Sequence, residues 1–194
     1  MTEKFKEMRE IHKNTLLKHK TTQSVIDLVK SMAGSIVVQI TGGFIVDVIE
    51  GRTPKDVDVV VERLSEFETA LLNNGFTFVS DTVTARTFQR EFTIQILKKG
   101  IACFDFVISQ STLSIRKPYG KEADITTSLV IDETSFVNKI LIPVRYDKAD
   151  YCFSSLARIP HWEKKGYKIP DKTYLSLLRK LMSYTRVTAP PVNS

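Results

Sequence analysis

The 194-residue chain is long enough to bury one substantial core with a small helical appendix, but too short for several domains of ordinary size. Its hydrophobic content of 42% and charged content of 26% exclude a disordered or fibrous chain. The formal net charge of +6 favours anionic partners such as phosphates, nucleic acid or acidic lipid, without choosing among them. No run approaches the roughly 20 apolar residues of a membrane span, and Met1 to Lys20 is charged throughout with no signal-peptide core. A cytoplasmic protein without a membrane partner is expected. Cys103 and Cys152 fit neither a disulfide framework nor a zinc-ligand spacing and are read as free thiols, Cys103 as a small buried hydrophobe in an apolar run.

In chain order, Glu3 to Leu17 places Phe5, Met8, Ile11 and Leu16 at helical spacing among Lys and Glu, which predicts an amphipathic, mostly solvated helix. His12 and His19 fall on it without neighbouring carboxylate or cysteine ligands. A second helix is predicted over Thr22 to Met32, where Ser24, Val25, Leu28 and Val29 share a face and Ala33-Gly34 ends the pattern. The β-branched run Ser35 to Thr41 then reads as a strand, Gly42-Gly43 as a tight turn, and Phe44 to Glu50 as a helix ending at Gly51. After the turn-like Arg52-Thr53-Pro54-Lys55, Asp56 to Val61 is a strand. Leu64 to Asn73 follows as a helix, Phe76 to Ser80 as a strand, and Ala85 to Leu97 as paired strands. Lys98-Lys99-Gly100 reads as a hairpin turn leading to a strand over Ile101 to Ile108. Tyr151 to Tyr184 is helical in character, and Thr188 to Ser194 has the composition of a disordered tail.

Asp56-Val57-Asp58-Val59-Val60-Val61 is the most informative of these segments. Side chains alternate across a strand, so Asp56 and Asp58 leave one face while Val57, Val59 and Val61 leave the other for a core. Two carboxylates on one face repel unless a cation sits between them, and a divalent ion is the economical solution. Mg²⁺ takes a few carboxylate oxygens together with waters and substrate phosphates, which points to phosphoryl chemistry. Asp-x-Asp alone also fits a turn followed by a solvated edge position. The Gly42-Gly43 turn upstream favours the chemical reading, because backbone N–H groups at a helix start can meet phosphate oxygens.

The continuous segment Thr41-Gly42-Gly43-Phe44-Ile45-Val46-Asp47-Val48-Ile49-Glu50-Gly51-Arg52-Thr53-Pro54-Lys55-Asp56-Val57-Asp58 resembles the head signature of the tRNA CCA-adding enzyme and bacterial poly(A) polymerase family, within the DNA polymerase beta-like nucleotidyltransferases. That signature has two glycines, an Arg-Asp pair on the following helix, a Gly-Arg turn, then Asp-x-Asp on a strand. Here Val46 stands in place of the arginine of the pair and Asp47 keeps its aspartate. Asp105, between Phe104 and Phe106, resembles the family's third acidic position; an edge carboxylate or a salt bridge to a lysine is the other reading. Glu122 to Leu129 is similar to the family's Arg-Arg-Asp-Phe-Thr-Ile-Asn-Ala segment, with Asp124 and Thr126 kept and Glu122 and Ala123 replacing both arginines, so that Arg116, Lys117 or Lys121 would have to supply the positive charge. Lys165 to Thr173 resembles the link between the family's two neck helices. The Glu-Asp-x-x-Arg template that selects the base is not recognisable, and Arg158 is the arginine nearest to that role. Trp162, His161 and Tyr167 fit either helix packing or base stacking.

The resemblance implies an α+β fold: a mixed, mainly antiparallel sheet with helices on one face, plus a short helical C-terminal subdomain. Its divisions would be N-terminal helices at 1–34, a head domain at 35–145, a neck-like segment at 146–187 and a disordered tail at 188–194. It implies transfer of NMP from an NTP, ATP or CTP, to a hydroxyl acceptor, an RNA 3′ end, with release of pyrophosphate. Asp56, Asp58 and Asp105 would be catalytic and would hold Mg²⁺ or Mn²⁺. Gly42, Gly43, Asp47, Arg52, Lys55, Arg86, Lys121, Asp124, Thr126 and Arg158 would bind substrate. Nucleotidylation of a protein or small molecule, and an inactive nucleic-acid-binding chain, are the alternatives.

Overall fold

The computed structural model describes residues 3–98, 100, 104–119, 124–145 and 147–187. The expected turn residue Lys99, the first half of the strand expected over 101–108 with Cys103, the substrate candidate Lys121 with Glu122 and Ala123, and the expected tail 188–194 lie outside the described residues. Two compact units are formed: Met1–Cys103 with Ser109–Ile131, and Phe104–Ile108 with Asp132–Ser194.

The first unit is an α+β layer pair. Its helices are α1 (Glu3–Lys18), α2 (Lys20–Ser31), α3 (Gly43–Ile49) and α4 (Leu64–Asn73). Its strands are β1 (Ile36–Thr41), β2 (Asp56–Val61), β3 (Thr77–Asp81), β4 (Ala85–Gln89), β5 (Thr93–Leu97), β6 (Thr112–Lys117) and β7 (Thr126–Val130). They form one seven-stranded sheet in the order β3-β4-β5-β2-β1-β6-β7. β2 and β5 pair in parallel and every other neighbouring pair is antiparallel. Up to Leu97, the elements expected from hydrophobic periodicity are present, with ends shifted by one or two residues.

Period-two patterning decides which face is covered. Ile36, Val38 and Ile40 of β1, Val57 and Val59 of β2, Ile94 and Ile96 of β5, and Leu113 and Ile115 of β6 are buried. They form one cluster with Leu16 of α1, Val25, Ile26, Leu28 and Val29 of α2, Phe44, Ile45 and Val48 of α3, and Phe67 and Leu71 of α4. Val25, Leu28 and Val29 recur at the helical repeat, so α2 lays one apolar stripe on the sheet. The alternate residues, Gln39, Asp56, Asp58, Gln95 and Ser114, project from the face without these helices.

The second unit contains α5 (Glu133–Asn138), α6 (Ala149–Glu163) and α7 (Asp171–Val187). Asp132 caps α5, its Oδ1 accepting the Ser135 N–H at 2.7 Å, as expected of an N-cap aspartate. Phe106, Ile108, Leu141, Cys152, Ile159, Trp162, Tyr167 and Leu177 are buried. The strand expected over 101–108 is not formed in its described half. Val107–Gln110 is a 3-10 turn, while Phe106 pairs with Pro143, Val107 N–H donates to Ile142 O at 2.9 Å, and Val144 N–H donates to Asp105 O at 2.9 Å. Pairing with residues more than thirty positions away overrides the local apolar pattern, and it draws 104–108 into the unit that begins at Asp132 rather than at the expected boundary after 145.

Ile40 sits fully buried on a central strand. Ile40→Ala is expected to lower stability by about 2–5 kcal/mol through reduced burial and the cavity left behind, measured as a shift in the urea unfolding midpoint without a change in slope.

Candidate active site

The candidate site is built on three consecutive elements, β1, α3 and β2. β1 ends at Thr41, which is fully buried; its hydroxyl donates to Ser111 O at 2.9 Å and accepts from the Thr112 hydroxyl at 3.4 Å. The chain then reverses at Gly42, with φ 78° and ψ −154°, a region open to essentially no other residue. Gly42 N–H donates to Ser109 O at 3.1 Å, so this amide holds the turn in place. Of the cradle expected from Gly42-Gly43, the part that geometry leaves for a ligand is the set of first-turn N–H groups of α3, beginning at Gly43, which have no intrahelical acceptor.

β2 carries the two aspartates. Val57 and Val59 are buried at 1% and 0% exposure, while Asp56 and Asp58 are half-buried on the opposite face, their Cα atoms roughly 7 Å apart by strand geometry. Thr41 lies directly across from Asp58 in the β1–β2 register, and Gln95 lies across from it on β5. The residue that enters the glycine turn is therefore the cross-strand neighbour of the second aspartate. Gln95 Nε2 donates to Asp56 Oδ2 at 3.3 Å. Gln95 is a site residue that the motifs do not single out, although its place in the alternating Thr93-Ile94-Gln95-Ile96-Leu97 marks it as facing away from the core.

Between α3 and β2, Arg52 closes the loop. Its Nε donates to Asp47 Oδ1 at 2.8 Å, its backbone N–H to Asp47 O at 2.7 Å, and its Nη1 to Glu50. Burial alone would lower the Arg52 pKa, but the bonds to Asp47 and Glu50 outweigh it and hold the guanidinium above its ordinary value. Asp47 is 8% exposed. Arg52 Nη2 is buried with no hydrogen-bond partner among the described residues, a donor left over for an anion. Lys55 is exposed beside the start of β2.

Thr126 lies across from Arg116 on β7, on the same face as Ser114 and Gln39, and Asp124 is exposed just before it. Arg86 does not join this face. The β4–β5 register sets it opposite Ile96, on the helix-covered side, where Nη1 grips both oxygens of Glu68 at 2.7 and 2.8 Å and Nε reaches Asp81 at 3.1 Å. The Glu68 bonds hold its guanidinium above the ordinary value. Arg86, expected to bind substrate, thus lies off the face of Asp56 and Asp58, in an ion pair that fastens α4 to β4.

Asp105 and Arg158 belong to the second unit. Arg158 Nε lies 2.9 Å from Asp105 Oδ2, with the aspartate side chain 9% exposed. Expected as third carboxylate and base-reading arginine, the two form an ion pair with each other, and the partner of Asp105 is an arginine rather than the lysine of the other reading. Among the described residues no three His, Cys, Asp or Glu side chains converge as a metal-binding set, so the sheet face offers the pair Asp56 and Asp58. Trp162 and Tyr167 are buried and meet edge to face at 5.2 Å, which is packing rather than an open stacking platform.

The fold recurs in solved structures. The Thermotoga maritima CCA-adding enzyme complexed with tRNA aligns over 92% of this chain and 47% of its own, at TM-score 0.63 and 17% identity. The chain has a nucleotidyltransferase fold. A CCA-adding enzyme with CTP aligns over 94% of this chain and 48% of its own at TM-score 0.62 and 17% identity. A tRNA nucleotidyltransferase complexed with a primer tRNA and an incoming ATP analogue aligns over 80% and 49% at TM-score 0.55 and 15% identity. The nucleotidyltransferase fold here spans just under half the length of these enzymes. No family model matches the chain, and no curated protein matches it in sequence.

Gly42→Ala is expected to strain the nucleotidyltransferase fold at its site, lowering stability by about 1–3 kcal/mol through the forbidden backbone conformation. Thermal unfolding reads the effect, beside a Gly51→Ala control at φ 71° in open space.

Proposed function

We propose that this protein transfers a nucleoside monophosphate from an NTP, ATP or CTP, to the 3′ hydroxyl of an RNA of tRNA type, releasing pyrophosphate. The observation that carries the reading is the β1–β2 register, which sets Thr41, at the mouth of the glycine turn, directly beside Asp58 on the face that also bears Asp56. A phosphate-facing helix start and a paired carboxylate are thereby fixed to adjacent strands of one sheet.

The donor set fits Mg²⁺ or Mn²⁺. Two hard carboxylates on one face, without a third protein ligand among the described residues, match an ion that keeps waters and substrate phosphates in its remaining positions. Such an ion, when bound, would neutralise charge on the phosphates and raise the acidity of the attacking hydroxyl. The chain's own contributions are positional. Gln95 orients Asp56; Asp58 is fixed between β1 and β5; the start of α3 presents N–H groups to phosphate oxygens. Arg52, anchored by Asp47 and Glu50, has Nη2 left for a triphosphate oxygen. Lys55 adds positive charge where the nucleotide would enter, and Asp124 and Thr126 lie on or next to the strand that lines the face's far edge. The similar structures are complexes with tRNA, CTP and an ATP analogue, and the chain's net charge of +6 suits an RNA acceptor.

Incubation with each radiolabelled NTP, Mg²⁺ or Mn²⁺, and total RNA is expected to label RNA at its 3′ end and to fail with EDTA. Asp58→Asn should reduce labelling by about 10²–10³-fold, the scale of removing one preorganised electrostatic group, with the unfolding midpoint retained. Label found only in polypeptide or in a small molecule would replace the RNA acceptor. RNA binding without any NTP turnover would replace the enzyme with a binding protein.

A further inference from the structure

Across the seven strands, the face that bears Asp56 and Asp58 carries one other charged side chain among the described residues, that of Arg116 on β6. The alternation that sets it there turns its neighbour Lys117 to the helix-covered side, where Nζ donates to Lys30 O at 2.8 Å and to Met32 O and so closes the end of α2. Of the basic residues expected to replace the missing arginines, Lys117 is thus occupied and Arg116 faces outward. Arg116 is exposed. No ion pair or side-chain hydrogen bond joins it to a described residue, even with the exposed Asp124, two residues before its cross-strand neighbour Thr126.

Arg116 lies opposite Val37 of β1. Asp58 is two strands away and its row, through Thr41 and Thr112, is four residues along, which sets the two Cα atoms roughly 17 Å apart by strand geometry. Between them the face is uncharged and rich in hydrogen-bonding groups: Gln39 Nε2 donates to Ser114 Oγ at 3.4 Å, Ser128 lies across from Ser114, and Val60 lies across from Gln39. The elements that would meet a triphosphate lie in the other direction. Gly42 and the first turn of α3 continue from the Thr41 end of β1, and Arg52 sits in the loop that enters β2 at Asp56. The carboxylates therefore stand between an end of the face suited to the triphosphate and an end marked by Arg116.

Phosphoryl transfer gives this polarity a meaning. The attacking and leaving oxygens stand on opposite sides of the phosphorus: as the 3′ oxygen bonds to the α-phosphorus, its proton leaves to solvent and the bond to pyrophosphate breaks on the far side. With pyrophosphate departing toward α3 and Arg52, the hydroxyl arrives over Val60, Gln39 and Ser114. We propose that the acceptor's 3′ strand lies along this face and that Arg116 holds one of its phosphates a few nucleotides upstream of the reacting end, a reading that rests on the RNA acceptor proposed above. A guanidinium fork meets phosphate oxygens two at a time, and the amide and hydroxyls of Gln39, Ser114 and Ser128 suit the 2′-hydroxyls of a ribose strand.

The test is the labelling kinetics of the full chain with Mg²⁺, an NTP and an RNA hairpin bearing a single-stranded 3′ end. Arg116→Gln is expected to raise KM for the RNA about tenfold, the scale of one charge-assisted contact, while kcat and KM for the NTP are retained. The slope of log RNA affinity against log salt, read by fluorescence anisotropy between about 50 and 200 mM KCl, should fall by about 0.7. Arg116→Lys is expected to restore the slope but only part of the affinity, and both variants should keep the wild-type unfolding midpoint because the position is exposed. The ratio of wild-type to Arg116→Gln kcat/KM should approach 1 as the acceptor is shortened to a dinucleotide, which lacks the upstream phosphates. A raised KM for the NTP with an unchanged KM for RNA would make Arg116 a triphosphate ligand and overturn the proposal. An equal loss at every acceptor length, or an Arg116→Gln variant that labels RNA as wild type does, would overturn it too and leave 3′-end labelling as an independent result. A wild type that labels no RNA would remove the acceptor reading and this one together.

Discussion

Alternation along β2 ties the stability of this protein to its chemistry. The same pleat that drives Val57 and Val59 into the hydrophobic cluster turns Asp56 and Asp58 out of it, and a register slip of one residue would exchange the two sets. Such a slip would bury two carboxylates and expose two valines, so the apolar residues act as the device that keeps the acids together on the open face. Their mutual repulsion is therefore sustained by the core. Asp58 sits between Thr41 and Gln95 on its two neighbouring strands, which leaves its backbone no freedom to relax that repulsion.

Much of this was legible in the sequence because the signals are local. A β-branched run, two glycines, a short helix and Asp-x-Asp on a strand each follow from a few adjacent residues, and their spacing placed the turn and the acids on neighbouring elements. Gly42 behaves as that reading required, with a backbone conformation that only glycine tolerates, although its own N–H is taken by Ser109. The proposed phosphate cradle would consequently be one N–H narrower than the motif implied.

What the sequence did not disclose depends on partners far along the chain. Arg86 belongs to a strand whose face is fixed by pairing with β5, and Glu68 on α4 is there to receive it. Asp105 lies in an apolar run that local patterning makes a strand, yet hydrogen bonds to residues 142–144 and Arg158 claim it for the other unit. Trp162 and Tyr167, ambiguous between packing and stacking, are settled by mutual burial. For Arg86 and Asp105, a residue type suited to chemistry is engaged by a structural partner that no short window contains.

The loan of Phe104–Ile108 to the second unit bears on how the chain can be divided. The polypeptide leaves the sheet unit, contributes five residues elsewhere, returns for β6 and β7, and departs again after Ile131. A protein shortened at residue 131 would keep every strand of the sheet, yet it would strip Phe106, at 0% exposure, of its bridge to Pro143, and the backbone on either side of it of its bonds to Ile142 and Val144. The two units are thus interleaved rather than strung in series. Modular exchange, by recombination or by design, has no single point at which to cut them apart.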